Sequence, residues 1–209
     1  MGVSSLILKL LAKQEYKKNV LMQASAIKDQ NSILRTILKR GKNCLFTQHL
    51  NLSNNPTYHQ YANCVPISDY ESIRPYIKKI SNGEKNILTQ GLPSYFAITS
   101  GTTSGTKFIP ITKEMMMFQT RAIKELLLLY AYQSNNYSVS NVGMMFIQGS
   151  PELKYLNKMP YAKLSGIAAR HIPFFLKKNR YPSMTTNCIS DWNKKISKIV
   201  EETHNKDMR

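Results

Sequence analysis

The stretch LPSYFAITSGTTSGTKFIPIT, residues 92–112, decides how the rest of the chain is read. Leu92–Thr99 is aromatic and β-branched, which predicts a strand. Phe108–Ile111 is a second apolar run. Pro110 predicts that it is an edge strand or a strand end, because proline cannot donate to a ladder. Joining the two are Thr99, Ser100, Gly101, Thr102, Thr103, Ser104, Gly105, Thr106 and Lys107. A flexible linker would not be so short or so tightly flanked by apolar segments. The Walker phosphate loop needs G-x-x-x-x-G-K-[ST] opening a helix. Here Thr106 replaces the second glycine, Phe108 replaces the hydroxyl, and FIPIT is not helical. A phosphate-gripping loop between two strands survives both tests. Glycines at 101 and 105 open backbone angles closed to other residues, so that amides can converge on an anion. Hydroxyls at 99, 100, 102, 103 and 104 add donors, and Lys107 adds a mobile charge. A lysine at that place would also shield a strand edge from pairing.

Outward from the loop, Thr112 is a good N-cap for a helix of about twenty residues from Lys113. Met116, Thr120, Ile123, Leu127 and Tyr130 would mark its inner face. Met115–Met117 reads as helix core rather than a soft metal site. Val142–Ile147 (VGMMFI) reads as a buried strand. Residues 149–186 carry Pro151, Pro160, Pro173 and Pro182 and read as turns and short pieces. Asp191–His204 reads as an amphipathic helix with Trp192, Ile196, Ile199 and Val200 on one side and Lys194, Lys195 and Lys198 on the other.

Upstream, residues 3–40 read as a helix broken near Lys17–Asn19 and stopped at Gly41. Residues 46–66 look irregular. Ser68–Asp69–Tyr70–Glu71 has the form of a capping box, S-x-x-E, opening a helix from about Asp69 to Ile80. Its inward residues would be Tyr70, Ile73, Ile77 and Ile80, with a bend at Pro75. Strands separated by long helices predict an α/β layered domain.

The chain has 209 residues, enough for one domain or one domain and part of another. With 42% hydrophobic residues it is not a disordered chain. Its 29 Lys+Arg outnumber 12 Asp+Glu, a formal charge of +17. This fits a solvated basic surface, an anionic ligand such as a nucleotide, or nucleic acid. Neither aromatic-basic interleaving nor helix-turn-helix spacing supports nucleic acid. Cys44, Cys64 and Cys188 are odd in number and lack a C-x-x-C pair, which favours reduced thiols in a cytoplasm over zinc or a disulfide framework. The start, MGVSSLILKLLAK, is interrupted by Lys9, and Leu6 stands where a myristoylation signal wants Ser or Thr. Leu126–Tyr132, the longest apolar run, is too short to span a bilayer, so a soluble protein is expected. His49, His59 and His204 have no nucleophile or ligand spacing, and His171 reads as a surface or core histidine or as one lining an acyl pocket. Tyr70 and Glu71 read as a helix start rather than as catalytic groups.

The loop from Thr99 to Lys107 resembles the [ST]-[ST]-G-[ST]-[ST]-G-x-x-K signature of adenylate-forming enzymes. Ser104 stands at the second family glycine, with Gly105 one place later. That shift is similar to the auxin-responsive Gretchen Hagen family of acyl-acid–amido synthetases. VPISDYESIRPYIKKISNGEKNIL (65–88) resembles that family's P-I-x-x-Y-E-x-x-x-P-Y-I segment, and KFIPIT (107–112) its K-x-I-P-x-T continuation. Gln30, Leu34, Ile37 and Leu38 resemble its early helix, and LSGIAARHIP (164–173) and the Trp192-led helix look like bacterial members.

The resemblance implies an α/β fold, part of the large N-terminal domain of an adenylate-forming enzyme, with a mixed sheet and flanking helices. Residues 1–209 would be the N-terminal portion of that domain, with a helical start at 1–40. The rest of the domain and the C-terminal lid would have no counterpart, leaving this chain inactive alone. The implied activity activates a carboxylic acid with ATP and Mg2+ to an acyl adenylate, then forms an amide with an amino acid. Thr99, Ser100, Gly101, Thr102, Thr103, Ser104, Gly105 and Lys107 would hold the ATP phosphates. The implied partners are small molecules, with neither nucleic acid nor membrane, and no protein metal site. A non-catalytic remnant and a basic nucleic-acid-binding protein are the alternatives.

Overall fold

The computed structural model describes residues 3–50, 52–53, 55–99, 105–137, 142–172 and 179–208. The chain divides into two compact units. One comprises Leu21–Lys113 and Lys154–Tyr161, and the other Met1–Val20, Glu114–Leu153 and Ala162–Arg209.

The long helix α1 (Val3–Gly41) contributes to both units and ends at the expected glycine. The predicted break at Lys17–Asn19 does not occur. No proline or glycine lies between Val3 and Arg40 to force one. Side chains also grip that turn: Tyr16 stacks on Tyr132 at 4.4 Å between ring centroids, and the Lys18 ammonium bridges Glu15 and Glu125 at 2.9 and 3.0 Å. Much of its apolar stripe, including Leu6, Leu10, Ile27 and Ile37, is exposed.

In the unit that holds the loop, short helices α2 (Leu45–Gln48) and α3 (Tyr58–Cys64) replace the expected irregular segment. The α3 start is a Thr57–Gln60 capping box, T-x-x-Q, embedded among turn-forming residues that masked it. Helix α4 (Tyr70–Ser81) follows. Its N-cap is Asp69, not Ser68: the Asp69 carboxylate accepts the Ser72 amide at 2.9 Å, while Ser68 donates to the Pro66 carbonyl at 3.2 Å. The bonds from Ser72 hold the Asp69 carboxyl below its ordinary pKa. Ile77 and Ile80 are buried with Ile87, Phe96 and Met159, and Tyr70 and Ile73 pack against them, as the helical spacing predicts.

Strands β1 (Tyr95–Thr99) and β2 (Lys107–Ile111) pair antiparallel. The first starts later than expected, past Pro93. After α5 (Lys113–Gln133) and the short β3 (Met144–Met145), the expected run of turns contains a hairpin, β4 (Lys154–Leu156) and β5 (Met159–Lys163). Asn157 closes it at φ 52, a conformation asparagine tolerates, and its side-chain amide donates to Ser81 Oγ and Asn82 Oδ1. Strand order is β2-β1-β5-β4, so Pro110 does sit on an edge strand, whereas Pro160 lies on an interior one opposite Tyr155.

In the other unit, Met116, Leu128 and Ala131 are the buried residues of α5, while Ile123, Tyr130, Met115 and Met117 are exposed. VGMMFI forms only the two-residue β3, paired parallel with β6 (Arg180–Tyr181). Helix α6 (Leu164–Arg170) reaches close packing through Gly166, where a Cβ would stand 2.1 Å from the Ser150 carbonyl oxygen. Helices α7 (Met184–Cys188) and α8 (Trp192–Thr203) complete the unit.

The α8 limits match expectation, with Asp191 as N-cap, but its inner face does not. Lys195, Ile199 and Thr203 are buried, and Trp192 and Val200 are exposed. The Lys195 ammonium donates to the Gln148 and Asn187 carbonyls at 2.9 and 3.0 Å. Those bonds allow a lysine to stand where spacing alone would put an apolar residue. Antiparallel and parallel pairs flanked by helices make this the mixed α/β architecture expected. No helix among the described residues is long and apolar enough to cross a membrane.

Candidate functional site

The β1/β2 register places Thr99 directly opposite Lys107. The segment between them is therefore a hairpin connection whose two ends are fixed by the sheet. Ser100, Gly101, Thr102, Thr103 and Ser104 lie outside the described residues. At the described end of the loop, Gly105 has φ 78, and a Cβ built there meets nothing within 4 Å. The glycine thus serves a left-handed turn and leaves open space on that side.

Lys107 makes no ion pair with any described carboxylate. Its ammonium instead lies 5.7 Å from the centroid of the Tyr70 ring. The Tyr70 hydroxyl accepts the Phe108 amide proton at 2.8 Å. One side chain, 38 residues upstream, thus holds both the first strand residue after the lysine and the lysine's charge. The sequence reading took Tyr70 as a helix start. Its place at N1 of α4 is right, but it missed the contact with β2, which needs the sheet to form. Arg74, with its guanidinium 6.0 Å from the same ring, pairs with Glu71 at 2.9 Å. Phe108 packs edge-on against Phe96 and Tyr161, which anchors this end of the hairpin in the core.

The second unit contains a cavity of about 400 Å³. Its walls come from α1 (Leu8, Leu11), α5 (Met116, Ile123), the segment after Gly143 (Phe146) and residues following α6. The lining is mainly apolar, the form expected of a small-molecule site. Its charged or titratable groups are Lys124, His171 and Arg180, with no carboxylate among them. His171 is exposed, in keeping with the surface reading of its sequence position, and stands among the cavity's lining residues. Arg180 donates to Gln148 Oε1 and stacks over Phe146 at 5.5 Å. Burial pushes its guanidinium pKa down. Nothing in the sequence singled out Arg180, because one arginine in a basic chain carries no pattern.

Among the described residues no group of three or more His, Cys, Asp or Glu is arranged to hold a metal ion. Cys44, Cys64 and Cys188 form no disulfide with one another, and burial raises the Cys44 thiol pKa.

Comparison with known proteins adds an independent line. The model of the GH3 family N-terminal domain matches residues 16–206. A jasmonoyl–L-amino acid synthetase, JAR4, of Nicotiana attenuata is 26% identical over 166 residues, which are 78% of this chain and 28% of that protein. An indole-3-acetic acid-amido synthetase, GH3.15, of Arabidopsis thaliana is 37% identical over 87 residues, 41% of this chain and 14% of its own. The solved structure of AtGH3.15 acyl acid amido synthetase in complex with 2,4-DB superposes with a TM-score of 0.66 at 21% identity. That match covers 86% of this chain and 32% of the solved one, and it shows the same fold. The chain spans less than a third of the length of these relatives.

Proposed function

The chain belongs to the GH3 family, and from that premise we propose that it serves the joining of a carboxylic acid to the amine of an amino acid through an acyl adenylate. The relatives named as amido synthetases support this ligase chemistry. The observation that carries the ATP step is the hairpin: Thr99 and Lys107 face each other across β1/β2 at the two ends of a loop made of hydroxyls and glycines.

That donor set fits a polyphosphate. Hydroxyls and backbone amides donate to phosphate oxygens, and an ammonium that pairs with no described carboxylate adds charge. In this reading Thr99, Ser100, Gly101, Thr102, Thr103, Ser104 and Gly105 cradle the β- and γ-phosphates, and Lys107 stands beside them. Charge grows on pyrophosphate as the acid's carboxylate attacks the α-phosphorus, and donors aimed there lower the barrier. The amine then attacks the acyl carbon and AMP leaves. Magnesium would enter with the nucleotide, binding phosphate oxygens and neutralising their charge. The surplus of basic residues steers anionic substrates. Three cysteines without a disulfide suit a reducing compartment such as the cytoplasm.

The test is calorimetric titration of Mg·ATP into the chain, with ATP–pyrophosphate exchange across a panel of carboxylic acids. Saturable binding, and exchange that depends on an acid, support the reading. No nucleotide binding at millimolar concentration overturns it. Binding to nucleic acid that weakens steeply with salt, without ATP binding, would favour the nucleic-acid alternative.

A further inference from the structure

Two cations stand beside the Tyr70 ring, and they differ in one respect. The Arg74 guanidinium, 6.0 Å from the ring centroid, is answered by Glu71 at 2.9 Å. The Lys107 ammonium, 5.7 Å from the same centroid, pairs with none of the described carboxylates. Lys107 is also the first residue of β2, where the strand leaves the hydroxyl-rich loop.

The ring itself is held at both ends. Its base is the first residue of α4, whose Asp69 cap accepts the Ser72 amide and hydroxyl at 2.9 and 2.7 Å. Its tip accepts the Phe108 amide at 2.8 Å, and Phe108 is gripped by Phe96 and Tyr161. Its face packs against the core built on Ile77 and Ile80. Tyr70 is therefore a fixed surface beside a long, flexible stem.

Fixing a lysine ammonium on an anion costs the rotamer freedom of its stem. A partner that restrains the stem beforehand lessens that cost at the moment of binding. A carboxylate would restrain the ammonium and also cancel its charge. An aromatic face attracts it through the ring quadrupole and leaves the charge whole. Of the two kinds of partner, only the ring keeps Lys107 both placed and useful to an anion.

We propose that Tyr70 is a positioning residue for polyphosphate binding: its ring presets the Lys107 ammonium, and its hydroxyl fixes the backbone from which that side chain springs. This assignment rests on the ligase reading above, which supplies the nucleotide. It adds a residue of α4, outside the loop, that acts through Lys107.

The experiment titrates Mg·ATP and magnesium tripolyphosphate, which lacks adenine and ribose, into the chain and its variants. Wild-type chain binds both. Tyr70→Leu weakens both about fivefold, the worth of one cation–aromatic contact. Tyr70→Phe keeps the ring and retains most of the affinity. The same Tyr70→Leu change made in Lys107→Met costs at most about twofold, because no ammonium is left to place. Damage that was merely structural would carry through to both backgrounds. Nuclear Overhauser contacts between the Tyr70 ring and the Lys107 ε-methylene, present before any probe is added, report the preset directly and need no Tyr70 variant to fold. Equal losses in the two backgrounds, or absence of those contacts, overturn the assignment while leaving the ligase reading standing. Binding of Mg·ATP without tripolyphosphate places the affinity elsewhere on the nucleotide and also overturns it. A wild-type chain that binds neither probe counts against the ligase reading itself, and the role of Tyr70 falls with it.

Discussion

The Tyr70 hydroxyl accepts the backbone amide proton of Phe108 at 2.8 Å, and this bond ties the first turn of α4 to the strand that follows the hydroxyl-rich loop. Tyr70→Phe removes the acceptor and keeps the ring. Losing one such bond costs about 1 kcal/mol, and the half-buried Phe108 amide loses protection. Melting temperature should fall by a few degrees, and hydrogen exchange at Phe108 should accelerate more than at Ile111, at the other end of β2. Equal exchange at the two positions would show that the bond does not restrain this end of the strand.

Lys107→Met tests the charge beside Tyr70. The ammonium makes no ion pair among the described residues, so the fold loses only its contact with the Tyr70 ring, worth about 0.5–1 kcal/mol. On the proposed function, Mg·ATP binding weakens at least tenfold and Lys107→Arg recovers part of it. If stability and nucleotide binding are both unchanged, Lys107 serves only to guard the edge strand β2.

These two side chains show how far sequence reading reaches. The loop was legible because glycines and hydroxyls crowd one short segment between two apolar runs. Pro110 was legible as an edge marker because a missing donor has few tolerable places. Tyr70 was legible as part of a helix but not as a tether, because its partner lies 38 residues away and is a backbone amide. Lys195 misled the reading of α8, since a lysine two carbonyls can satisfy looks in sequence like any solvated lysine. The β4/β5 hairpin was hidden by Pro160, whose interior placement goes with the anchored turn at Asn157. The cavity was illegible because its walls come from segments far apart in the chain.

Gly166→Ala is expected to be among the most damaging small substitutions. The added Cβ would stand 2.1 Å from the Ser150 carbonyl oxygen and 2.9 Å from its carbon. These are backbone atoms, so α6 or the segment beneath it has to move. Overpacking of this kind costs about 1–3 kcal/mol. Chemical denaturation should show a lowered midpoint with little change in slope. An unaltered midpoint would mean that this contact yields without cost.

Glu202 contributes to the pH dependence of the second unit. Burial pushes its carboxyl pKa up, but bonds from the Thr186 hydroxyl and from the Ser183 amide and hydroxyl outweigh that, so it titrates below the ordinary glutamate value. The distances are 2.5 Å from Thr186 Oγ1, and 2.7 Å from both Ser183 N and Ser183 Oγ. A carboxyl whose folded pKa is depressed binds fewer protons folded than unfolded near and below its unfolded value, so stability rises with pH there. The contribution is complete above the unfolded pKa and is lost as pH falls through the folded one. Thermal melts of wild-type protein from pH 7 down to pH 3 should therefore drop steeply at the acid end. Glu202→Gln keeps the shape, lacks the charge, and should be less stable at neutral pH while losing less on acidification. The two melting curves converge as pH falls. Parallel curves for the two proteins would remove Glu202 from the account of acid sensitivity.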